Sequence, residues 1–166
     1  MRVLGVDPGL GTTGYAIVEL IGHQPALREA GVVRTRSELD LGTRLFVLHT
    51  ELRAVVTEFL PTALALEDLY SEYRFPRTAL KMAHARGVIC LAAAQSDVPV
   101  VDILPGEVQN AITGSGRASK QQVQRAVQRL YNLPEVPSPP DVADAMAIAT
   151  AVAYRAMRLD ARETRR

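Results

Sequence analysis

Tryptophan is absent from this 166-residue chain, cysteine occurs once, and aromatic residues make up only 5% of it. A single cysteine forms no intrachain disulfide and builds no cysteine-ligated zinc site. Cys90, set among apolar neighbours, is therefore expected in the core of a protein from a reducing compartment. His23, His49 and His84 are scattered without metal-ligand spacing, which argues against zinc. No stretch approaches the roughly 18 uninterrupted apolar residues that a membrane-spanning helix requires. The N-terminus carries no signal-peptide pattern, so the expectation is a soluble, cytoplasmic protein with no membrane association. Internal repeats and low-complexity segments are also missing. What remains is a chain 48% apolar, long enough for one domain with a substantial core. That domain is expected over residues 1–156, followed by a basic, flexible tail over 157–166.

Charge of one sign is scarce overall, since the formal net charge is +1. Its distribution is uneven: residues 1–71 hold 6 Lys/Arg against 9 Asp/Glu, whereas residues 72–129 hold 8 against 4. The middle of the chain is its basic part. Lys81 and Lys120 are the only lysines. The remaining cations are arginines, which suit bidentate phosphate contacts and are equally what a GC-rich genome encodes.

Apolar runs at Val3–Asp7, Thr13–Leu20 and Leu27–Thr35, separated by glycine-rich or polar breaks, predict three strands in an antiparallel meander. Leu41, Leu45, Leu48, Leu52, Val55 and Phe59 recur at helical spacing, predicting a helix over 40–59 that Pro61 ends. Strands are predicted at Ala63–Glu67 and Pro99–Leu104, with a helix over Thr78–Gln95 between them; strand, helix, strand is the crossover of parallel pairing. That helix is apolar on nearly every face in its second half, so either its own domain or a second subunit must cover it. Short helices near Pro105–Ile112 and over Ser119–Tyr131 flank the loop Gly114-Ser115-Gly116-Arg117, and a last helix starts near Asp141 after a proline-rich connection.

Four acidic residues stand out against this scaffold. Asp7 and Glu67 end the first and fourth predicted strands, and Asp141 and Asp144 share one face in the first turn of the last helix. Carboxylates gathered in one volume repel strongly unless cations sit among them. The chemistry that uses such a set is phosphodiester hydrolysis assisted by two divalent ions about 4 Å apart, Mg²⁺ by preference for all-oxygen ligands and Mn²⁺ as the alternative. Each acid also has a plainer role open to it: Asp7 before Pro8-Gly9 as a turn former, Asp141 as an N-cap. Glu67 and Asp144, next to apolar residues, are harder to explain without function.

Taken in order, these stretches resemble the RuvC type of bacterial Holliday-junction resolvase. The matching segments are Gly5-Val6-Asp7-Pro8-Gly9 with Thr13-Gly14-Tyr15, Ala65-Leu66-Glu67, Ala79-Leu80-Lys81 through Ala85-Arg86-Gly87, Gly114-x-Gly116-x-Ala118-x-Lys120, and Asp141-x-x-Asp144-Ala145. The resemblance implies a ribonuclease H-like α/β fold, with a mixed five-stranded sheet flanked by helices. It also implies a homodimer that nicks opposed strands of a four-way DNA junction with Mg²⁺, beside a junction-binding protein and a branch-migration motor of the RuvA and RuvB types. It places the catalytic, metal-holding acids at Asp7, Glu67, Asp141 and Asp144, and a basic residue near the scissile phosphate at Lys120. Tyr70 falls where the family stacks an aromatic on unpaired bases, although a core tyrosine would read the same way. Lys81, Arg86, Gln109 and Arg117 complete the expected DNA contacts. Gln109 departs from the family, which usually has lysine there; an amide hydrogen-bonds a phosphate without neutralising it. Arg117 is the expected compensation, unless Lys120 serves alone.

Other functions fit parts of the pattern. Asp7-Pro8-Gly9-Leu10-Gly11-Thr12-Thr13-Gly14 resembles the phosphate loop of sugar kinases and actin, but those enclose ATP with a second such loop, and the chain has none. A ribonuclease H-like nuclease acting on structured RNA or other DNA, and a junction-binding protein without catalysis, are the remaining alternatives.

Overall fold

A computed structural model describes residues 1–68 and 76–163, and all structural statements below concern those residues. Ten elements follow in the order β1 (Arg2–Asp7), β2 (Thr12–Ile21), β3 (Gln24–Arg34), α1 (Leu41–Phe59), β4 (Ala63–Glu67), α2 (Pro76–Ala94), β5 (Val100–Ile103), α3 (Pro105–Thr113), α4 (Lys120–Leu130) and α5 (Pro140–Glu163). The sheet order is β3-β2-β1-β4-β5, with β1–β2 and β2–β3 antiparallel and β1–β4 and β4–β5 parallel. The mixed five-stranded sheet is thus the expected one. The β2–β3 hairpin turns at Gly22, whose φ of +62° suits a residue without Cβ.

Alternation along the strands sorts side chains between two helical layers. Leu4 and Val6 of β1, Ile17 of β2, and Leu64 and Leu66 of β4 face one layer. There they pack with Leu48, Leu52 and Val56 of α1 and with Ala85 and Ile89 of α2. Val3, Ala16, Val18 and Ala65 face the other, where α3, α4 and above all α5 lie. Cys90 packs, half-buried, against the α1–α2 layer. The helix over α2 is covered on one face only: Ala85, Ile89, Ala92 and Ala93 are buried, while Leu80 is 60% and Leu91 51% exposed.

Two helix starts are set locally. Asp40 caps α1 by accepting from the Thr43 amide at 3.0 Å. Ser119 and Gln122 form a reciprocal capping box at the start of α4. One boundary differs from expectation. The tail expected to fray after Met157 continues as helix to Glu163, and the preceding turn is tied down by Arg155, which donates to the Asp102 carbonyl at 3.0 Å and pairs with Glu107. No helix among the described residues is long and apolar enough to cross a membrane.

Candidate active site

The four acids come together for reasons that can be followed strand by strand. Glycines and alanines let α5 lie directly on the sheet: a Cβ built on Gly5 would stand 2.3 Å from the Ala145 carbonyl oxygen, and one on Gly14 would stand 2.0 Å from that of Asp141. Gly14 is the β2 partner of Asp7. The first turn of α5 is therefore seated beside the end of β1. On the other side, Val6 pairs with Leu66 in the parallel β1–β4 ladder, so Asp7 and Glu67 leave adjacent strands side by side. Alternation turns both toward α5, on the side of Gly5 and Ala65.

The loop after β1 is closed tightly. The buried Thr13 hydroxyl donates to the Gly9 carbonyl at 2.6 Å, and a Cβ on Gly9 would fall 2.2 Å from the Thr12 carbonyl oxygen. This turn fixes the direction in which Asp7 leaves β1. Lys120, the first residue of α4, is aimed by the Ser119 capping box and brings its Nζ to 2.5 Å from Asp144 Oδ2.

Asp7, Glu67, Lys120 and Asp144 line one cavity of about 250 Å³, together with Gln109 and Val108 of α3. Asp141 is not in its lining but acts electrostatically on Asp7, Asp144 and Lys120. Burial first, then Asp144, with smaller repulsions from Asp141 and Glu67 and against the pull of Lys120, pushes the Asp7 carboxyl up to about 7. Burial followed by Asp144 also raises Glu67, against the pull of Lys120. Burial raises Asp144 as well, partly offset by its hydrogen bond to Lys120. Burial alone would lower the ammonium pKa of Lys120, but Asp144, Asp7 and Asp141 together hold it above the usual lysine value.

An all-oxygen donor set that destabilises its own ionised form fits a hard divalent cation. Among the described residues no three His, Cys, Asp or Glu side chains are disposed to hold one ion as they stand. The ammonium of Lys120 occupies an Asp144 oxygen and supplies the counter-charge instead. To hold an ion, Asp144 would have to give up its contact with Lys120.

A pH dependence follows. Asp7 has a pKa raised from 3.8 to about 7 in the folded state, so its contribution to stability is fully present below about 4 and is lost as pH rises through about 7. In metal-free buffer, the melting temperature of Asp7→Asn should therefore rise relative to the parent between about pH 4 and pH 7. Added divalent ion should restore the parent at the higher pH. Melting curves in chelator with and without metal check this; a parent-to-variant difference that is flat with pH would contradict it.

The expected DNA contacts separate into groups. Gln109 lines the cavity. Lys81 is exposed on α2 and does not line it. Tyr70 lies outside the described residues. Arg117 is exposed in the loop before α4, in a different depression, so the structure does not bring it to the side of Gln109.

Arg86 is tied into the fold. Only 16% of its side chain is exposed. Its guanidinium donates to the Glu67 carbonyl at 2.7 Å and pairs with Asp102 on β5, while the Asp68 amide donates to the Ile103 carbonyl at 2.8 Å. Arg86 therefore clasps the end of β4 at Glu67. Replacement by glutamine should slow nicking by about 10- to 100-fold, the range for lost supports of metal-site residues, with junction affinity and its salt dependence unchanged. A phosphate contact would show the reverse, which binding titrations at several salt concentrations would reveal.

Sequence reasoning passed over the seating of α5 on Gly5 and Gly14. The Ser119-x-x-Gln122 spacing that aims Lys120 was available as a signal.

Comparison with known proteins places these features in a family. The family model described as crossover junction endodeoxyribonuclease RuvC matches residues 3–152. The crossover junction endodeoxyribonuclease RuvC of Rhodopirellula baltica is 50% identical over 154 residues, covering 93% of this chain and 86% of that protein. The RuvC structure from Thermus thermophilus superposes with a TM-score of 0.88 at 33% identity, covering 95% of this chain and 96% of that one. The T. thermophilus protein in complex with a Holliday junction substrate gives the same TM-score at 34% identity, with 94% of each chain covered. With a matching sheet, a family model spanning residues 3–152 and near-complete coverage, the chain belongs to the RuvC family of crossover junction endodeoxyribonucleases.

Proposed function

We propose that this chain resolves four-way DNA junctions, hydrolysing one phosphodiester in each of two opposed strands with divalent ions, Mg²⁺ foremost, held by Asp7, Glu67, Asp141 and Asp144. The observation that carries this is the meeting of Asp7, Glu67, Asp144 and Lys120 in one cavity. The solved complex of the T. thermophilus relative with a Holliday junction supports the choice of substrate. A divalent pair bound by these acids supplies an activated water and stabilisation of the leaving oxygen.

The chain's own groups do the rest. Asp7, as the carboxylate, would be one of the residues that hold the ions. Lys120 is held as an ammonium beside Asp144 and offsets phosphate charge at the cut. Gln109 adds an uncharged hydrogen bond at the cavity wall. A homodimer completes the reading: the exposed Leu80, Gly87 and Leu91 of α2 lie at helical spacing and would be covered by a second copy. Two sites related by a twofold axis match two opposed strands. By family resemblance the enzyme works with RuvA- and RuvB-type proteins.

The test is a cleavage assay on an immobile four-way junction, with both nicks mapped. Paired, symmetrically placed nicks that require a divalent ion are expected. Equal cleavage of linear duplex or hairpin RNA, or junction binding without nicking when metal is present, would overturn the proposal.

A further inference from the structure

Behind the cleavage cavity, on the outer side of α4, lies a second depression of about 540 Å³ lined by Thr113, Ser115, Arg117, Gln122, Arg125 and Arg129, with alanine and isoleucine at its floor. No acidic residue lines it. Several other arginines are committed within the fold: Arg2 and Arg28 pair with Glu19, Arg86 with Asp102, and Arg155 with Glu107. Among the described residues the side chains of Arg117, Arg125 and Arg129 have no ion pair and no hydrogen bond.

Arg125 and Arg129 are one helical turn apart, a like-charge spacing that disfavours the helix unless an anion lies against it. Three exposed guanidinium groups around a polar hollow, ringed by Ser, Thr and Gln donors, have the composition of a site for phosphate oxygens. Its location selects the source of those phosphates. The helix that carries Arg125 and Arg129 begins at Lys120, which touches the catalytic acids, and Arg117 is three residues before it. A DNA strand with one phosphate in the cavity carries further phosphates at regular intervals toward the neighbouring hollow. A separate acidic protein has no such tie to the cleavage site.

We propose that Arg117, Arg125 and Arg129 form a second phosphate-binding site that grips the backbone of a DNA arm flanking the cut. The inference rests on the reading of the chain as a junction nuclease and extends it beyond the catalytic cavity. It also gives Arg117 a role other than replacing a lysine at Gln109.

The experiment compares the full-length parent with the double variant Arg125→Gln/Arg129→Gln and the double variant Arg125→Lys/Arg129→Lys, binding a labelled immobile four-way junction in chelator across a salt series. The glutamine variant should reduce the slope of log affinity against log salt by about 2 per protomer, roughly 4 for a bound dimer, and weaken binding roughly tenfold or more near 0.1 M salt. The lysine variant should recover most of that slope. With metal present, nicking at saturating junction should stay within about twofold of the parent, so that the loss is in KM and not in kcat. Unchanged melting temperatures would show that both variants are folded, as their exposed positions predict. An unaltered salt slope in the glutamine variant, while the parent binds and nicks junctions, overturns this proposal and leaves the nuclease reading intact. Loss of an acidic protein partner with DNA binding unchanged overturns it in the same way. A parent that neither binds nor nicks junctions overturns both.

Discussion

Asp7→Asn is expected to bind four-way junctions at least as tightly as the parent and to nick them about a thousandfold more slowly. Asparagine keeps the size of the side chain and one carbonyl oxygen, so β1 and its following turn should persist. It removes the negative charge on which the other acids and any bound cation converge. On the proposed function Asp7 is a metal ligand, and its loss removes transition-state stabilisation of several kcal/mol, about 4 kcal/mol corresponding to a thousandfold in rate. Binding moves in the other direction, because a buried carboxylate beside a phosphate opposes association. The check is single-turnover nicking of a saturated junction alongside binding in chelator. Parental nicking by Asp7→Asn would remove the catalytic assignment, and loss of binding would show that Asp7 is structural.

The second large effect belongs to a residue with no chemistry of its own. Gly14→Ala should destabilise the fold and abolish activity together, because the added methyl would meet the Asp141 carbonyl oxygen at 2.0 Å and its carbonyl carbon at 2.5 Å. These are backbone atoms at the start of a helix packed along the sheet, so they cannot rotate aside. The helix must lift or slide, and Asp141 and Asp144 move with it. Overpacking of this kind costs about 1–3 kcal/mol, or a fall of roughly 2–12 °C in melting temperature for a chain of this length. Gly5→Ala, directed against Ala145 and Ala149, should lower stability similarly while acting more than one helical turn further from Asp141. A Gly14→Ala protein with parental melting temperature and nicking rate would show that α5 is not seated on β2 as described.

Most of the scaffold could be read from local pattern. Short apolar runs bounded by glycine-rich or polar breaks mark β1, β2, β3 and β4, and spacings of three and four mark α1, because these signals lie within each element's own residues. Asp40 and Ser119 identify helix starts through bonds to residues three positions away. Asp7 and Glu67 were visible as charges at the ends of apolar runs. The extent of α5 was less legible: its last turns are charged and look like a tail, and what holds them includes Arg155 reaching back to β5 and α3.

Arginine roles were the least legible. Arg86 and Arg117 both lie in a basic part of the chain, and nothing nearby in sequence separates them. Asp102, the partner of Arg86, is sixteen residues away on a strand whose place beside β4 is known only once the sheet is ordered. Arg117 sits in a loop whose direction depends on how α3 and α4 pack, with Gly106 and Gly116 in close backbone approach. A cation's function depends on which oxygens reach it across the fold, and local periodicity carries no record of that.

By itself, the sequence determined the elements, their caps, the acids at the strand ends and the family signature, since each depends on neighbours within a few residues. Tertiary structure alone decided that α5 rests on Gly5 and Gly14 and so delivers Asp144 to Asp7 and Lys120. It also decided that Arg86 supports Glu67, and that Arg117 joins Arg125 and Arg129. These are contacts between segments far apart in the chain, set by strand order, register and the closeness with which a helix of small residues can approach a sheet.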